Sequence, residues 1–200
     1  MPKGNILLLS GGIDSACLAA WLHPSCCIVV DYGQRAAQAE ISASKVICDE
    51  LRIEHQVISA NIPDLGAGTM AGGQKTNGMA TPEFWPFRNQ YLITIAAMYC
   101  FINNYSEINI GTVSSDRERH KDGTNEFIER IGKLIYMQEG SVKVVAPALS
   151  FTTKKLIEIS NISAEVLGWT HSCHISNLAC GKCNGCIKHS EVMQSIGWNR

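Results

Sequence analysis

Apolar and polar residues fall along this chain in alternating blocks. Asn5–Leu9 is a largely apolar run that ends in Ser10-Gly11-Gly12. A short apolar run closed by a turn signal predicts a strand buried on both faces. Asp14–Leu22 then places Cys17, Leu18 and Trp21 or Leu22 at helical spacing, which predicts a helix. The pair repeats: Cys26–Asp31 reads as a second strand, and Gln38–Leu51 as a second helix with Ala39, Ala43, Val46 or Ile47, and Leu51 in register. Glu54–Ala60 is a third strand. Residues 61–87 break the pattern, with Gly66, Gly68, Gly72, Gly73 and Gly78 among Pro63, Pro82 and Pro86. That composition predicts a long loop or mobile lid. Helical spacing returns over Asn89–Asn103. A strand at Glu107–Gly111, a helix at Asn125–Tyr136, a strand at Val142–Ala146 and a helix at Thr152–Ser160 complete the series.

Strands alternating with helices predict an α/β fold, a parallel sheet covered by helices on both faces. Ligands of such sheets bind at the carboxyl ends of the strands. We expect residues 1–168 to form this domain and residues 169–200 to form a small cysteine-rich C-terminal segment.

Composition narrows the function classes. The chain has 200 residues, 46% hydrophobic and 18% charged, which fits one domain with a small appendage and excludes a disordered chain. Seventeen Lys and Arg against 18 Asp and Glu leave a net charge of −1, so bulk charge does not point to nucleic acid. The longest apolar stretch, Tyr91–Ile102, is too short to span a bilayer. Ile6–Leu9 is too short for a signal-peptide core, so the expectation is a soluble cytoplasmic protein.

Nine cysteines are many for this length. Cys17, Cys26, Cys27, Cys48 and Cys100 lie mostly in apolar runs and read as small buried hydrophobes. Cys173, Cys180, Cys183 and Cys186 crowd together in a C-x6-C-x2-C-x2-C pattern. Four thiolates at such spacing suit a closed tetrahedral Zn²⁺ site of structural character. An iron–sulfur cluster also takes four cysteines and is the alternative. His171, His174 and His189 flank the cluster and read as polar residues near a pocket.

Ser10-Gly11-Gly12-Ile13-Asp14-Ser15 ends the first strand and opens the first helix. Glycines admit close backbone approach, and free amides at a helix start favour phosphate. Ser10 and Ser15 add hydroxyl donors. Asp14 cannot attract a bare anion, so it orients the loop or helps hold Mg²⁺. The pattern lacks the Gly-Lys-Ser/Thr of the Walker loop and the spacing of the dinucleotide fingerprint. It resembles the PP-loop of ATP pyrophosphatases, which cleave ATP between the α and β phosphates and transfer AMP to a substrate oxygen.

Two further segments, Asp31-Tyr32-Gly33-Gln34-Arg35 and Trp85-Pro86-Phe87-Arg88-Asn89, lie between this loop and the cysteine cluster. Together with Thr170-His171-Ser172-Cys173 and Cys180-Gly181-Lys182-Cys183-Asn184-Gly185-Cys186, they resemble the 7-cyano-7-deazaguanine synthase family of queuosine biosynthesis over nearly the whole chain. The resemblance implies a Rossmann-like fold of the adenine nucleotide alpha hydrolase type with a C-terminal four-cysteine zinc motif. It also implies ATP, Mg²⁺ and Zn²⁺, and activation of the carboxylate of 7-carboxy-7-deazaguanine for attack by ammonia. Carried over residue by residue, Ser10, Gly11, Gly12, Asp14 and Ser15 hold the triphosphate. Tyr32, Gln34, Asn89, Gly111 and Lys154 join the nucleotide site. Asp14, Ser15, Arg88, Asp116 and Asp122 form the catalytic set, to which this sequence's own His120 is added.

Three places depart from the family pattern. The segment Asp116–Phe127 keeps Asp116, Asp122, Glu126 and Phe127 but loses its usual Tyr-Pro and Cys-Arg elements. Phe87 stands where glycine is common, and His189 where arginine is common. All three read as pocket positions, which leaves the acceptor open: ammonia, or an amine of a partner protein as in relatives from antiviral defence operons. His120, with an unperturbed pKa of about 6.5, is suited to deprotonating an incoming amine. A PP-loop enzyme acting on tRNA is the remaining alternative, weakened by the net charge. A homodimer is compatible with the sequence.

Overall fold

The computed structural model describes residues 3–73, 81–116 and 120–198. Strands β1 (Asn5–Leu8), β2 (Cys26–Asp31), β3 (Glu54–Ser59), β4 (Glu107–Asn109) and β5 (Lys143–Val145) form an all-parallel sheet in the order β3-β2-β1-β4-β5. Seven helices accompany it among the described residues: α1 (Ile13–Leu22), α2 (Ala37–Leu51), α3 (Arg88–Asn103), α4 (Asn125–Tyr136), α5 (Thr153–Ser160), α6 (Ala164–Gly168) and α7 (Asn184–Ser195).

The strand pleat sends successive side chains to opposite faces. Leu7 and Cys27 pack on one side with Ala16 and Cys17 of α1, Ile47 of α2, Leu156 of α5, Val166 of α6 and Met193 of α7. Ile6 and Ile28 pack on the other side with Ile93 and Cys100 of α3 and Ile131 and Ile135 of α4. Two apolar clusters on two faces make the β1 and β2 runs continuously hydrophobic, as the sequence reading requires. Cys17, Cys26, Cys27, Cys48 and Cys100 are all buried and free, which bears out their reading as small core residues.

The chain builds β1, β2 and β3 outward in one direction. It then crosses back to lay β4 beside β1 and β5 beyond it. The direction of winding reverses between β1 and β4, and the two strand ends there open a crevice.

Two features were not anticipated. One is the pair of C-terminal helices, α6 and α7. The other lies in residues 61–87, where two single 3₁₀ turns, Pro63–Leu65 and Thr69–Ala71, fold back on the sheet. They carry Met70 into a third apolar cluster with Val30, Tyr32 and Trp85. Gly78 lies outside the described residues. The cysteine segment is tied to the main core on both sides: before it the His171 amide donates to the Gly11 carbonyl at 2.8 Å, and after it Val192, Ile196 and Trp198 pack against the α1 side.

Candidate active site

The turn after β1 is shaped by close packing. Gly11 has φ +76°, and a Cβ there would lie 2.8 Å from the Ala43 Cβ and 3.1 Å from the Glu40 carbonyl oxygen. Only glycine lets the loop lie flat on α2. Gly12 precedes α1 in extended conformation, and no side chain caps the first helical turn. Those amides meet the crevice with the positive end of the helix dipole, an anion-binding arrangement. Ser15 Oγ donates to the Gly12 carbonyl at 3.0 Å and lies 3.3 Å from Ser10 Oγ, so both hydroxyls sit at the loop.

Across the crevice, Gly111 follows β4. A Cβ there would touch the Ser15 backbone at 3.4 Å, so the two strand ends approach to contact distance. Asp116 is fixed by the Val113 amide, which donates to its Oδ2 at 3.0 Å. Gly123 packs on the Asp116 backbone, where a Cβ would come within 3.1 Å. Asp14 and Asp116 are bridged by Lys188 of α7, whose Nζ lies 3.1 Å from Asp14 Oδ2 and 3.7 Å from Asp116 Oδ1. The other Asp14 oxygen, Oδ1, is buried with no hydrogen-bond partner. A paired set of carboxylates with an orphaned oxygen fits a site for a hard cation such as Mg²⁺.

The wall toward β2 is more enclosed. Gln34 accepts from the Tyr32 amide at 3.0 Å and donates to Glu40 Oε2 at 2.8 Å. Burial pushes the Glu40 carboxyl up to about 7, against the pull of Gln34 and Arg88. Arg88, at the start of α3, donates to the Met70 sulfur at 3.2 Å. Burial opposes its charge, but Tyr32, Asp122, Glu40 and Asp116 outweigh that and hold it as a guanidinium. Asn89 donates to the Asp122 carbonyl at 3.2 Å.

These walls enclose a cavity of about 310 Å³. Ser10, Gly12, Asp14, Ser15 and Gly111 line it at the strand ends, and Tyr32, Arg88, Asn89, Asp116 and His120 line it further out. His171, His174 and His189 also line it, with His189 Nδ1 3.0 Å from Ser172 Oγ. Gly11, Gln34 and Asp122 stand behind the lining and support it.

Lys154 and Phe87 do not line it. Lys154 is exposed on α5, and its neighbour Thr153 faces the cavity with a buried hydroxyl that has no partner. Phe87 is exposed, not a pocket residue. It caps α3 at φ 55°, a left-handed conformation that explains the fitness of glycine there. Of the altered loop, Arg117, Glu118 and Arg119 lie outside the described residues.

The four cysteines converge. All four Sγ atoms lie within 4.8 Å of one another, with Cys180–Cys186 and Cys173–Cys183 both at 3.9 Å. Tetrahedral Zn²⁺ with Zn–S bonds of about 2.3 Å sets sulfurs about 3.8 Å apart, so the cluster fits that ion. The Cys183 amide donates to Cys180 Sγ at 3.4 Å, and the Cys186 amide to Cys183 Sγ at 3.5 Å. The Lys182 and Cys183 amides lower the Cys180 thiol to about 6, toward the thiolate that binds metal. Gly185 permits this fold: a Cβ there would collide with the Ser172 carbonyl.

The sequence pattern of the queuosine biosynthesis protein QueC family matches residues 4–197. The chain belongs to the QueC family. A relative in Desulfitobacterium hafniense, 7-cyano-7-deazaguanine synthase 1, is 29% identical over 208 residues, covering 97% of this chain and 93% of its own length. The 7-cyano-7-deazaguanine synthase of Methanocaldococcus jannaschii is 27% identical over 220 residues, with 96% and 95% covered. That of Campylobacter jejuni is 28% identical over 219 residues, with 99% and 96% covered. The resemblance read from the motifs is thereby borne out at the level of family, and the chain is an enzyme.

Sequence reasoning missed Glu40, Glu83, Thr153 and Lys188 as lining residues. Glu83 is a buried carboxylate that accepts from Asn184 Nδ2 at 2.9 Å, joining the loop before α3 to the start of α7. Helical spacing held one usable signal: Gly185, Lys188, His189 and Val192 recur at i, i+3, i+4 and i+7, and all face the cavity.

Proposed function

We propose that this QueC-family enzyme is an ATP-dependent carbon–nitrogen ligase acting on 7-carboxy-7-deazaguanine, with ammonia as acceptor. The substrate carboxylate attacks the α-phosphorus of ATP, the α–β bridge bond breaks, and pyrophosphate leaves. Ammonia then attacks the acyl carbon of the adenylate and expels AMP, giving the amide. The amide oxygen attacks the α-phosphorus of a second ATP and pyrophosphate leaves; loss of AMP and a proton from the resulting adenylated imidate gives the nitrile. The names of the relatives support this end product. They favour it over conjugation to a partner protein and over action on tRNA.

The observation that carries the reading is the crevice between β1 and β4, where an uncapped helix start faces a carboxylate pair and a half-buried guanidinium. In this reading the Ser10–Ser15 turn takes the triphosphate, and Asp14 and Asp116 hold Mg²⁺, which would neutralise phosphate charge. Arg88 stabilises charge growing on the transferred phosphoryl group. His120 takes the proton from the incoming nitrogen nucleophile. Residues 1–168 supply the nucleotide site, and residues 169–200 a wall braced by zinc, whose part is structural.

ATP–pyrophosphate exchange tests the adenylation step. Exchange that requires 7-carboxy-7-deazaguanine and survives RNase treatment is expected. Release of ADP and phosphate, or exchange that requires tRNA, overturns the reading.

A further inference from the structure

We infer that Lys188 is the lysine of the phosphate site, delivered by the cysteine-anchored helix α7 in place of Lys154; this rests on the ATP-ligase reading above. A triphosphate site needs mobile positive charge near the phosphate loop. Among the described residues, Arg88 and Lys188 are the Lys and Arg side chains that line the cavity. Arg88 belongs to the β2 wall, where it donates to the Met70 sulfur and feels Tyr32, Asp122, Glu40 and Asp116, so it is one fixed cation on one side of the cavity. Lys154 points away into solvent, and uncharged Thr153 takes the inner position of α5. Lys188 comes from the opposite wall and ends 3.1 Å from Asp14, inside the phosphate loop itself.

Its placement is built in several steps. Cys183 is the N-cap of α7 and Cys186 lies in its first turn, so the cluster that fits zinc fixes the start of this helix. Gly185 seats that turn against Ser172, and Met193 anchors the other end in the core. The helix is therefore held at both ends, and Lys188 lies between them on the face that lines the cavity.

Lys188 pairs with both Asp14 and Asp116, so its ammonium already stands at the place where a cation and phosphate oxygens would meet. When a divalent ion takes the two carboxylates, the ammonium is released to phosphate oxygen. A long flexible stem with a compact charge suits that change of partner. No bond forms or breaks at Lys188; its part is binding and charge stabilisation.

Equilibrium binding of α,β-methylene-ATP with Mg²⁺, measured by calorimetry beside zinc content, tests this. Wild type should bind. Lys188→Ala should weaken binding at least tenfold, about 1.4 kcal/mol, with about one zinc per chain retained. Lys188→Arg should recover most of the affinity, and Lys154→Ala should lose less than Lys188→Ala. Unchanged or tighter binding by Lys188→Ala overturns the inference, because the lysine would then be only a structural partner of Asp14. A larger loss in Lys154→Ala also overturns it. Wild type that fails to bind the nucleotide sinks the ligase reading together with the inference.

Discussion

Glu40 lines the cavity beside Arg88 with its carboxyl raised from 4.5 to about 7 by burial. An acid raised on folding binds its proton more tightly in the native state. Stability therefore declines as pH rises from the unfolded value through the folded one, here between about 4.5 and 7. Glu40→Gln removes this titration. Melting temperatures followed across that window should fall less steeply for the variant than for wild type, and parallel slopes would contradict the assignment. Asp14 makes a different kind of contribution, since its buried Oδ1 has no partner until a cation arrives. Asp14→Asn keeps the shape and removes the charge. The rate of pyrophosphate exchange should drop by roughly 10²–10³-fold; a drop of less than tenfold would take Asp14 out of the reacting site.

Among the elements, α7 is the one on which site and fold depend together. Replacing glycine by alanine inside a helix ordinarily stabilises by about 1 kcal/mol. At Gly185 the added Cβ would meet the Ser172 carbonyl and the His174 ring, so the sign should reverse. Gly185→Ala should melt at a lower temperature and retain less than one zinc per chain by elemental analysis; a rise in melting temperature would show that the turn tolerates displacement. The same helix marks the limit of what the sequence reveals. The five strands and the first five helices were legible within a residue or two, because Gly, Pro and polar breaks separate long apolar blocks. Helix α7 was not, since its N-cap is Cys183 and its core anchor is Met193. Thiol capping and one buried methionine give no recognisable capping or apolar signal, and the spacing of Gly185, Lys188, His189 and Val192 is the one trace of the helix. The Ser10–Ser15 turn from β1 into α1 was legible because its parts are contiguous. Lys188 was not, because it meets Asp14 across 174 positions of sequence. Lys154 was misplaced by its neighbour: a one-residue difference along a helix turns a side chain through about 100°, enough to exchange cavity for solvent.

At the scale of the whole molecule, the sheet supplies the crevice and the C-terminal segment closes it. Zinc held by the four cysteines would therefore act on function through structure. Its removal by a chelator should lower the melting temperature and weaken nucleotide binding together, because both depend on where α7 sits. An unchanged melting temperature after complete metal loss would mean that the core contacts of Met193 and Val192 hold the helix unaided. The central claim is that this fold joins nitrogen to an activated deazaguanine carboxylate. Its most direct test is mass spectrometry of the purified enzyme's products from ATP, 7-carboxy-7-deazaguanine and ammonia, with nucleotides resolved in the same run. The account predicts 7-cyano-7-deazaguanine, with AMP and no ADP, at two AMP per nitrile. ADP as the nucleotide product, or unconverted acid beside consumed ATP, would contradict it.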